Sequence, residues 1–257
     1  QSNHSLSISS GNERSRFYTS LSFYNDPGWT DADKVNRYTA NMNASFDLNK
    51  YLTFGVNTSG SIRNQRVPGT MDRDMDAVNG EYTRDFDINP YSYALNTSRT
   101  LDPNTYYTSN YADFNILNEL DNNYMELNIA DLKFQGELKW KPITGLELSA
   151  LGAVKYQSTS QEHNIKDQSN QASAYRAGLD DKTIMDRNPF LYKNPDNPYA
   201  LPISILPEGG IYQRRDYKML GYDFRATASW NHVFNDIHNT NFFAGTEINS
   251  TDRSKNY

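Results

Sequence analysis

From Arg37 to Leu48, apolar and polar side chains alternate without a break. Tyr38, Ala40, Met42, Ala44, Phe46 and Leu48 share one parity, and Arg37, Thr39, Asn41, Asn43, Ser45 and Asp47 share the other. Successive side chains of a strand point to opposite faces, so this segment predicts a strand with one apolar and one polar face. Asn49-Lys50 then reads as a tight turn. Leu52, Phe54, Val56 and Ile62 resume the apolar face, and Thr53, Asn57, Ser59 and Arg63 the polar one. The pair is a hairpin with strands of about ten residues, long enough to cross a bilayer at a tilt.

The same unit recurs along the chain. Leu6 and Ile8 share a face in residues 4–10. Phe17, Thr19, Leu21 and Phe23 alternate with Arg16, Tyr18, Ser20, Ser22 and Tyr24. Asn25-Asp26-Pro27-Gly28-Trp29 is a turn signal that opens a longer connection to about Asn36. Alternation returns at Tyr124, with Met125, Leu127 and Ile129 on one parity and Leu132, Phe134, Leu138 and Trp140 on the other. The slip at Ala130-Asp131 reads as a bulge, or as the place where a loop ribbon becomes the membrane strand. Leu146, Leu148, Ala150, Val154 and Tyr156 form the next apolar face. In the last hairpin, Leu220, Tyr222, Phe224, Ala226, Ala228 and Trp230 oppose Asp223, Arg225, Thr227, Ser229 and Asn231, and Phe242, Ala244 and Ile248 complete the pattern.

Eight strands result. The connections alternate between short (11–15, 49–50, 141–145, 235–239) and longer (25–36, 64–122, 158–216). An antiparallel meander then gathers every short turn at one end and every long loop at the other, as in a transmembrane antiparallel β-barrel. The fold class expected is all-β, with short turns periplasmic, loops 64–122 and 158–216 extracellular, and the barrel in a bacterial outer membrane. Trp140, Tyr51 and Phe46 fall where an aromatic girdle would lie. Short helices or extra strands are expected inside the long loops, because long structureless loops are rare. The first strand starts and the eighth ends at the long-loop end, whereas a complete bacterial barrel keeps both termini at the short-turn end. The expectation is therefore a consecutive slice of one larger barrel domain across 1–257.

Composition narrows the alternatives. Only 37% of the 257 residues are hydrophobic, yet there are 19 Tyr, 12 Phe and 3 Trp, which argues against disorder. A polar but aromatic-rich chain fits a sheet with one face in lipid and one in water; a soluble β-sandwich such as a carbohydrate-binding module is the competing fold. No cysteine is present, which excludes disulfides and thiolate chemistry. The net charge of −6 disfavours nucleic acid as a partner. No run of 18 apolar residues predicts a membrane helix, and the opening Gln1-Ser2-Asn3-His4 has no signal-peptide character.

Candidate chemistry is sparse. His4, His163, His232 and His238 have neither metal-ligand spacing nor a nucleophile signature beside them, so no catalytic residue and no enzyme activity is expected. Asp72, Asp74 and Asp76 form a DxDxD triplet with weak calcium-loop character. Ala77 replaces the Gly such a loop needs at its sixth position, and Thr83 replaces the Glu at its twelfth, which favours a solvated acidic loop with no metal or other cofactor. The loops carry aromatic faces that stack on sugar rings beside groups that hydrogen-bond hydroxyls. Tyr82, Arg84, Asp85, Tyr91 and Tyr93, with Arg214 and Tyr217, are the substrate-binding candidates. Packing between loops, or against a protein seated on them, is the competing role for these tyrosines. Arg37, Asp47, Arg63, Asp223 and Arg225 are inward charges suited to pairing across a lumen or to touching a plug inside it, and less to contacting substrate.

The wording of several strands resembles the barrel of SusC/RagA-type TonB-dependent transporters. The carriers are Tyr18, Ser20, Leu21, Tyr24 and Gly28; Arg37, Tyr38 and Asn43; and Leu48, Leu52, Gly55 and Asn57. Phe134–Leu138 with Trp140, Pro142, Ile143, Gly145 and Leu146, and Asn241–Glu247, are similar to that family's later hairpins. The resemblance covers the strands, about half the chain, and neither long loop. It implies a 22-stranded barrel around a plug domain that this sequence lacks. It implies import of an oligosaccharide, or of peptides, across the outer membrane of a Bacteroidetes-type bacterium. The proton-motive force would act through TonB, which binds the missing amino-terminal part, and a SusD-like surface lipoprotein would be the lid. A surface adhesion barrel working through its loops is the alternative.

Overall fold

In the computed structural model, the described residues are 1–30, 33–69, 73–76, 81–84, 86, 88–235 and 237–256, with side chains excluded for 73–76 and 81–84. Eight strands form one sheet: β1 (Ser2–Gly11), β2 (Ser15–Asp26), β3 (Lys34–Asn49), β4 (Leu52–Pro68), β9 (Asn123–Trp140), β10 (Leu146–Ile165), β11 (Ile211–Phe234) and β12 (His238–Asn256). Each pairs antiparallel with its neighbour in sequence, in the order β1-β2-β3-β4-β9-β10-β11-β12. Between β4 and β9 lie the hairpins β5 (Arg73–Asp76) with β6 (Glu81–Arg84) and β7 (Tyr107–Ser109) with β8 (Ala112–Phe114), and the helices α1 (Pro90–Asn96) and α2 (Ile116–Asn122). Between β10 and β11 lie α3 (Asn170–Ala174) and α4 (Lys182–Arg187).

The pairing register turns the sequence alternation into rows across the sheet. One row runs His4, Phe23, Tyr38, Ile62, Ala130, Ser158, Lys218, Ser254. The next, toward the short turns, runs Leu6, Leu21, Ala40, Gly60, Leu132, Tyr156, Leu220, Asp252. On this face the apolar band that rises from the short turns ends at Phe23 on β2, Tyr38 on β3 and Ile62 on β4, but at Tyr156 on β10, Leu220 on β11 and Ile248 on β12, with Tyr212 standing apart higher on β11. Leu21, Ile62, Leu132, Phe134 and Ile248 are each more than half exposed. Among the described residues no second sheet covers them, which removes the sandwich: a soluble monomer does not leave so large an apolar face to water. Trp140, Tyr51 and Phe46 are also exposed, near the short turns.

The opposite face is polar and bonded laterally. Asn41 Nδ2 donates to Ser20 Oγ at 3.3 Å, Thr53 Oγ1 donates to Asp47 Oδ1 at 2.7 Å, and Lys155 pairs with Asp223 at 2.7 Å. Arg225 pairs with Glu247 at 2.9 Å. These inward charges bond to the adjacent strand.

Of the two readings of the slip at Ala130-Asp131, the bulge is not there. β9 keeps continuous register with β4 through Ile62↔Ala130 and Ser61↔Asp131, and with β10 likewise. The parity of the apolar residues changes because their surroundings change. Below Ala130 the outward face is apolar; above it Met125, Leu127 and Ile129 lie half-buried on the inward face beside the folded loops. The register irregularity lies instead at the β3–β4 turn, between Asp47 and Asn49, and the turn residues are Lys50-Tyr51. β4 and β10 also run further than the alternation suggests, so the two long connections are residues 69–122 and 166–210. The hydrophobic core sits there. Of the buried apolar residues among those described, only Ala153 and Ile165 belong to the large sheet.

Candidate functional site in the long connections

The connections fold because their polar residues satisfy the backbone at each helix start. Asn115 Oδ1 caps α2, accepting the N–H of Leu117 at 3.0 Å and of Asn118 at 3.1 Å. Its amide also donates to the carbonyls of Pro103 and Thr105, pinning that loop to the helix. Ser169 caps α3 and Asp181 caps α4 in the same manner. A small core of Ile88, Phe114 and Ile116 packs with Tyr93 and Leu120. Phe86 of the first connection lies 4.8 Å from Phe190 and 6.4 Å from Tyr175 of the second, ring centre to ring centre, so aromatic packing ties the two together.

A buried polar seam reinforces the joint. Asn170 N–H donates to Glu119 Oε1 at 2.6 Å, and Asn170 Nδ2 donates to the carbonyls of Ser109, Ala112 and Asp113. Burial pushes the Glu119 carboxyl up to about 7, partly offset by the Asn170 N–H and the Asn118 amide. Beside it, Asn123 Nδ2 donates to Gln171 Oε1 at 2.9 Å, and Asn123 Oδ1 lies 2.7 Å from His163 Nε2. His163 therefore acts as a strut between strand end and loop. Gly69 backs onto this pair so closely that an added Cβ would meet Asn123 Oδ1 and His163 Nε2.

Of the seven binding candidates, the four whose side chains are described, Tyr91, Tyr93, Arg214 and Tyr217, are not brought together. Tyr82 and Arg84 have their backbone in β6, opposite Met75 and Arg73, with side chains outside the described set; Asp85 lies outside the described residues. The triplet Asp72, Asp74 and Asp76 is also beyond description, its first member altogether and the other two in their side chains. Tyr91 is exposed on α1, and Tyr93 is half-buried in the small core. Arg214 and Tyr217 stand on β11 with opposite parity, hence on opposite faces. Arg214 pairs with Asp216 at 3.0 Å and Glu162 at 3.4 Å, while Lys255 Nζ lies 5.2 Å from the Tyr217 ring centre.

Tyr93 lines a cavity of about 560 Å³ with Trp29, Pro27, Pro90, Pro103 and Leu117, where the β2–β3 connection meets α1 and α2. Asp26 Oδ1 accepts the Gly28 N–H at 2.9 Å, and Gly28 takes a positive φ of 74°, where a Cβ would collide with Asp33. That turn presents Trp29, which is 94% exposed, an unusual position for so large an apolar ring. Sequence reasoning registered Asp26-Pro27-Gly28 only as a turn. The overlooked signal was a tryptophan immediately after it in a polar connection.

A meander with an outward apolar face, an inward polar face and its long connections gathered at one end is the wall of a transmembrane β-barrel. β1 and β12 do not pair with each other, so these eight strands form an arc of that wall. The arc has the fold of a SusC/RagA-type transporter barrel. The chain superposes on the structure of the RagAB peptide transporter with a TM-score of 0.62 at 18% identity, covering 98% of this chain and 25% of that one. The RagAB peptide importer gives 0.60 at 18% identity in its "closed-closed" state and 0.57 at 17% in its "open-open" state, with the same coverage. A curated relative, TonB-dependent receptor P39 of Formosa agariphila, is 35% identical over 60 residues, which is 23% of this chain and 6% of that protein. No family model matches. The chain spans about a quarter of the length of the solved chains it matches.

Proposed function

We propose that this chain is part of the wall and loop cap of a TonB-dependent importer in a bacterial outer membrane, with the long connections extracellular. The observation that carries the reading is the superposition of nearly the whole chain, loops included, on RagAB. A SusD-like lipoprotein is the partner expected over the loop end, and TonB the energy coupler, reached through a part of the protein outside this sequence. The wall segment seals against lipid and holds the cap; the cap meets partner and cargo.

For the cargo we favour an oligosaccharide. Trp29, Tyr93 and the neighbouring prolines offer flat apolar surfaces of the kind that stack on sugar rings, and Tyr91 stands exposed on the same helix as Tyr93. Peptides are the second reading, favoured by the peptide cargo of the RagAB structures. The test uses the full-length protein with its lipoprotein partner. Calorimetric titration with a neutral oligosaccharide ladder and with a mixed peptide digest should give heat from the oligosaccharides. Heat from peptides alone would replace the glycan assignment, and uptake that persists in cells lacking TonB would remove the importer.

A further inference from the structure

We propose that the outward face of β1–β4 and β9 holds a phosphorylated acyl lipid of the leaflet at the long-loop end, its chain in a groove floored by Ala40 and Gly60 and its phosphate on Lys34, Arg66 and Lys166. The inference rests on the lipid-facing assignment of this face and is independent of the cargo.

The groove arises from side-chain size. In the row Leu6, Leu21, Ala40, Gly60, Leu132, the two central strands contribute a methyl group and a hydrogen atom where their neighbours contribute leucine. Leu6, Leu21, Tyr38 and Leu132 stand as walls around a trough of about 610 Å³. Its outward walls are aliphatic and aromatic apart from His4, so an acyl chain fills it while covering little polar surface.

The residues above it have headgroup chemistry. The next outward row toward the loops is Asn25, Asn36, Asn64 and Asn128, amides suited to ester carbonyls and hydroxyls. One row higher stand Lys34 and, opposite it, Arg66. Arg66 lies 3.7 Å from the Tyr124 ring centre and Lys166 Nζ 5.3 Å from it, so the ring gathers two cations on one spot. Among the described residues, Lys166 Nζ donates only to the Asp121 carbonyl, Arg66 Nε is buried without a hydrogen-bond partner, and Lys34 is exposed. Glu126 faces Arg66 across the strand pair without an ion pair within reach. Arg66 follows Ile62 by four residues, roughly 13 Å along the strand, so a phosphate on the guanidinium held at Tyr124 would sit above the apolar edge, with its acyl chain descending past the asparagine row.

The same face contains its own control. Gly136 and Gly152 open a second trough of about 550 Å³ between Phe134, Val154 and Phe224. Above it stand Glu126, Glu162, Arg214 and Asp216, where the one arginine is already paired with two carboxylates. Lys218 of β11 stands exposed on the same face between Arg214 and this trough, a single lysine against Lys34, Arg66 and Lys166 over the first. The charge pattern therefore favours the first trough for an anionic lipid over the second.

The test is native mass spectrometry of the full-length protein in mixed micelles containing phosphatidylglycerol or phosphatidylcholine with identical chains. Wild-type protein should retain phosphatidylglycerol preferentially. Lys34→Gln, Arg66→Gln and Lys166→Gln should each lower the preference by on the order of fivefold, and Arg214→Gln should leave it intact. Gly60→Leu should lower retention of both lipids, because its added atoms fill the trough and meet first the flexible end of Leu132. Equal retention of the two lipids by wild type would overturn the proposal. So would an unchanged preference in the triple glutamine variant, which leaves the trough intact, or a dimer that Gly60→Leu dissolves.

Discussion

The Glu119 carboxylate accepts the backbone N–H of Asn170 at 2.6 Å, joining the helix that precedes β9 to the helix that follows β10. The two residues are 51 positions apart in sequence, so this contact closes the loop cap over the strand ends. Because Glu119 is 1% exposed, the cap's stability is tied to its protonation.

With the folded carboxyl at about 7 and its ordinary value at 4.5, the folded cap holds a proton that the opened cap releases between those pH values. Stability is therefore full below about 4.5, falls as pH rises to about 7, and stays low above it, by on the order of 2–3 kcal/mol. Glu119→Gln keeps an acceptor for Asn170 and should abolish that slope. Limited proteolysis of the 166–210 connection across pH 5 to 8 measures it; a wild-type cap equally resistant throughout contradicts the assignment.

Gly69→Val should break the His163–Asn123 contact, since even a Cβ at that position overlaps both partners. Expected loss is about 2 kcal/mol, comparable to leaving a buried polar pair unsatisfied. Hydrogen exchange at Asn123 and His163 should accelerate while the lower halves of β9 and β10 stay protected.

Charge on the two faces of one strand should behave oppositely. Phe134→Arg, on the apolar face, should cost about 2–4 kcal/mol in refolding from urea into lipid vesicles, whereas Gln135→Arg, on the inward face, should cost under about 1 kcal/mol. Equal penalties would mean that both faces meet the same solvent.

Trp29→Ala should weaken cargo binding roughly tenfold, the scale of one lost stacking surface, without changing the melting profile. Binding measured by calorimetry that is unaltered in this variant would place recognition elsewhere in the cap.

The strands were legible because alternation is a two-residue signal that survives on its own, and a lipid face demands it over the full crossing. Legibility ended where the environment, not the backbone, changed. At Ala130 the apolar parity switches although the ladder does not, and sequence has no separate mark for a bulge and for a change of solvent. The cap was least legible. Its core depends on contacts such as Phe86 with Phe190 and Glu119 with Asn170, which join segments far apart in sequence. Tyr93 was found as an aromatic, but its cavity partner Trp29 comes from another connection and was read only as part of a turn. Arg214 and Tyr217 are close in sequence yet differ in parity, so nearness along the chain placed them on opposite sides of the wall.

The edge of the apolar face is not parallel to the hydrogen-bonded rows. The row through Phe23, Tyr38 and Ile62 reaches β12 at Ser254, yet the apolar side chains of β12 stop at Ile248, six residues nearer the short turn. That drop is about 20 Å along the strand, accumulated over roughly 29 Å of sheet width from β2 to β12. A bilayer surface is flat, so the strands must lean about 35° from its normal, within the range of membrane barrels. The hydrogen-bond rows consequently climb around the pore as a screw thread. A pull on one strand end is thereby shared with strands several places away along the thread, instead of being confined to one ring of the wall.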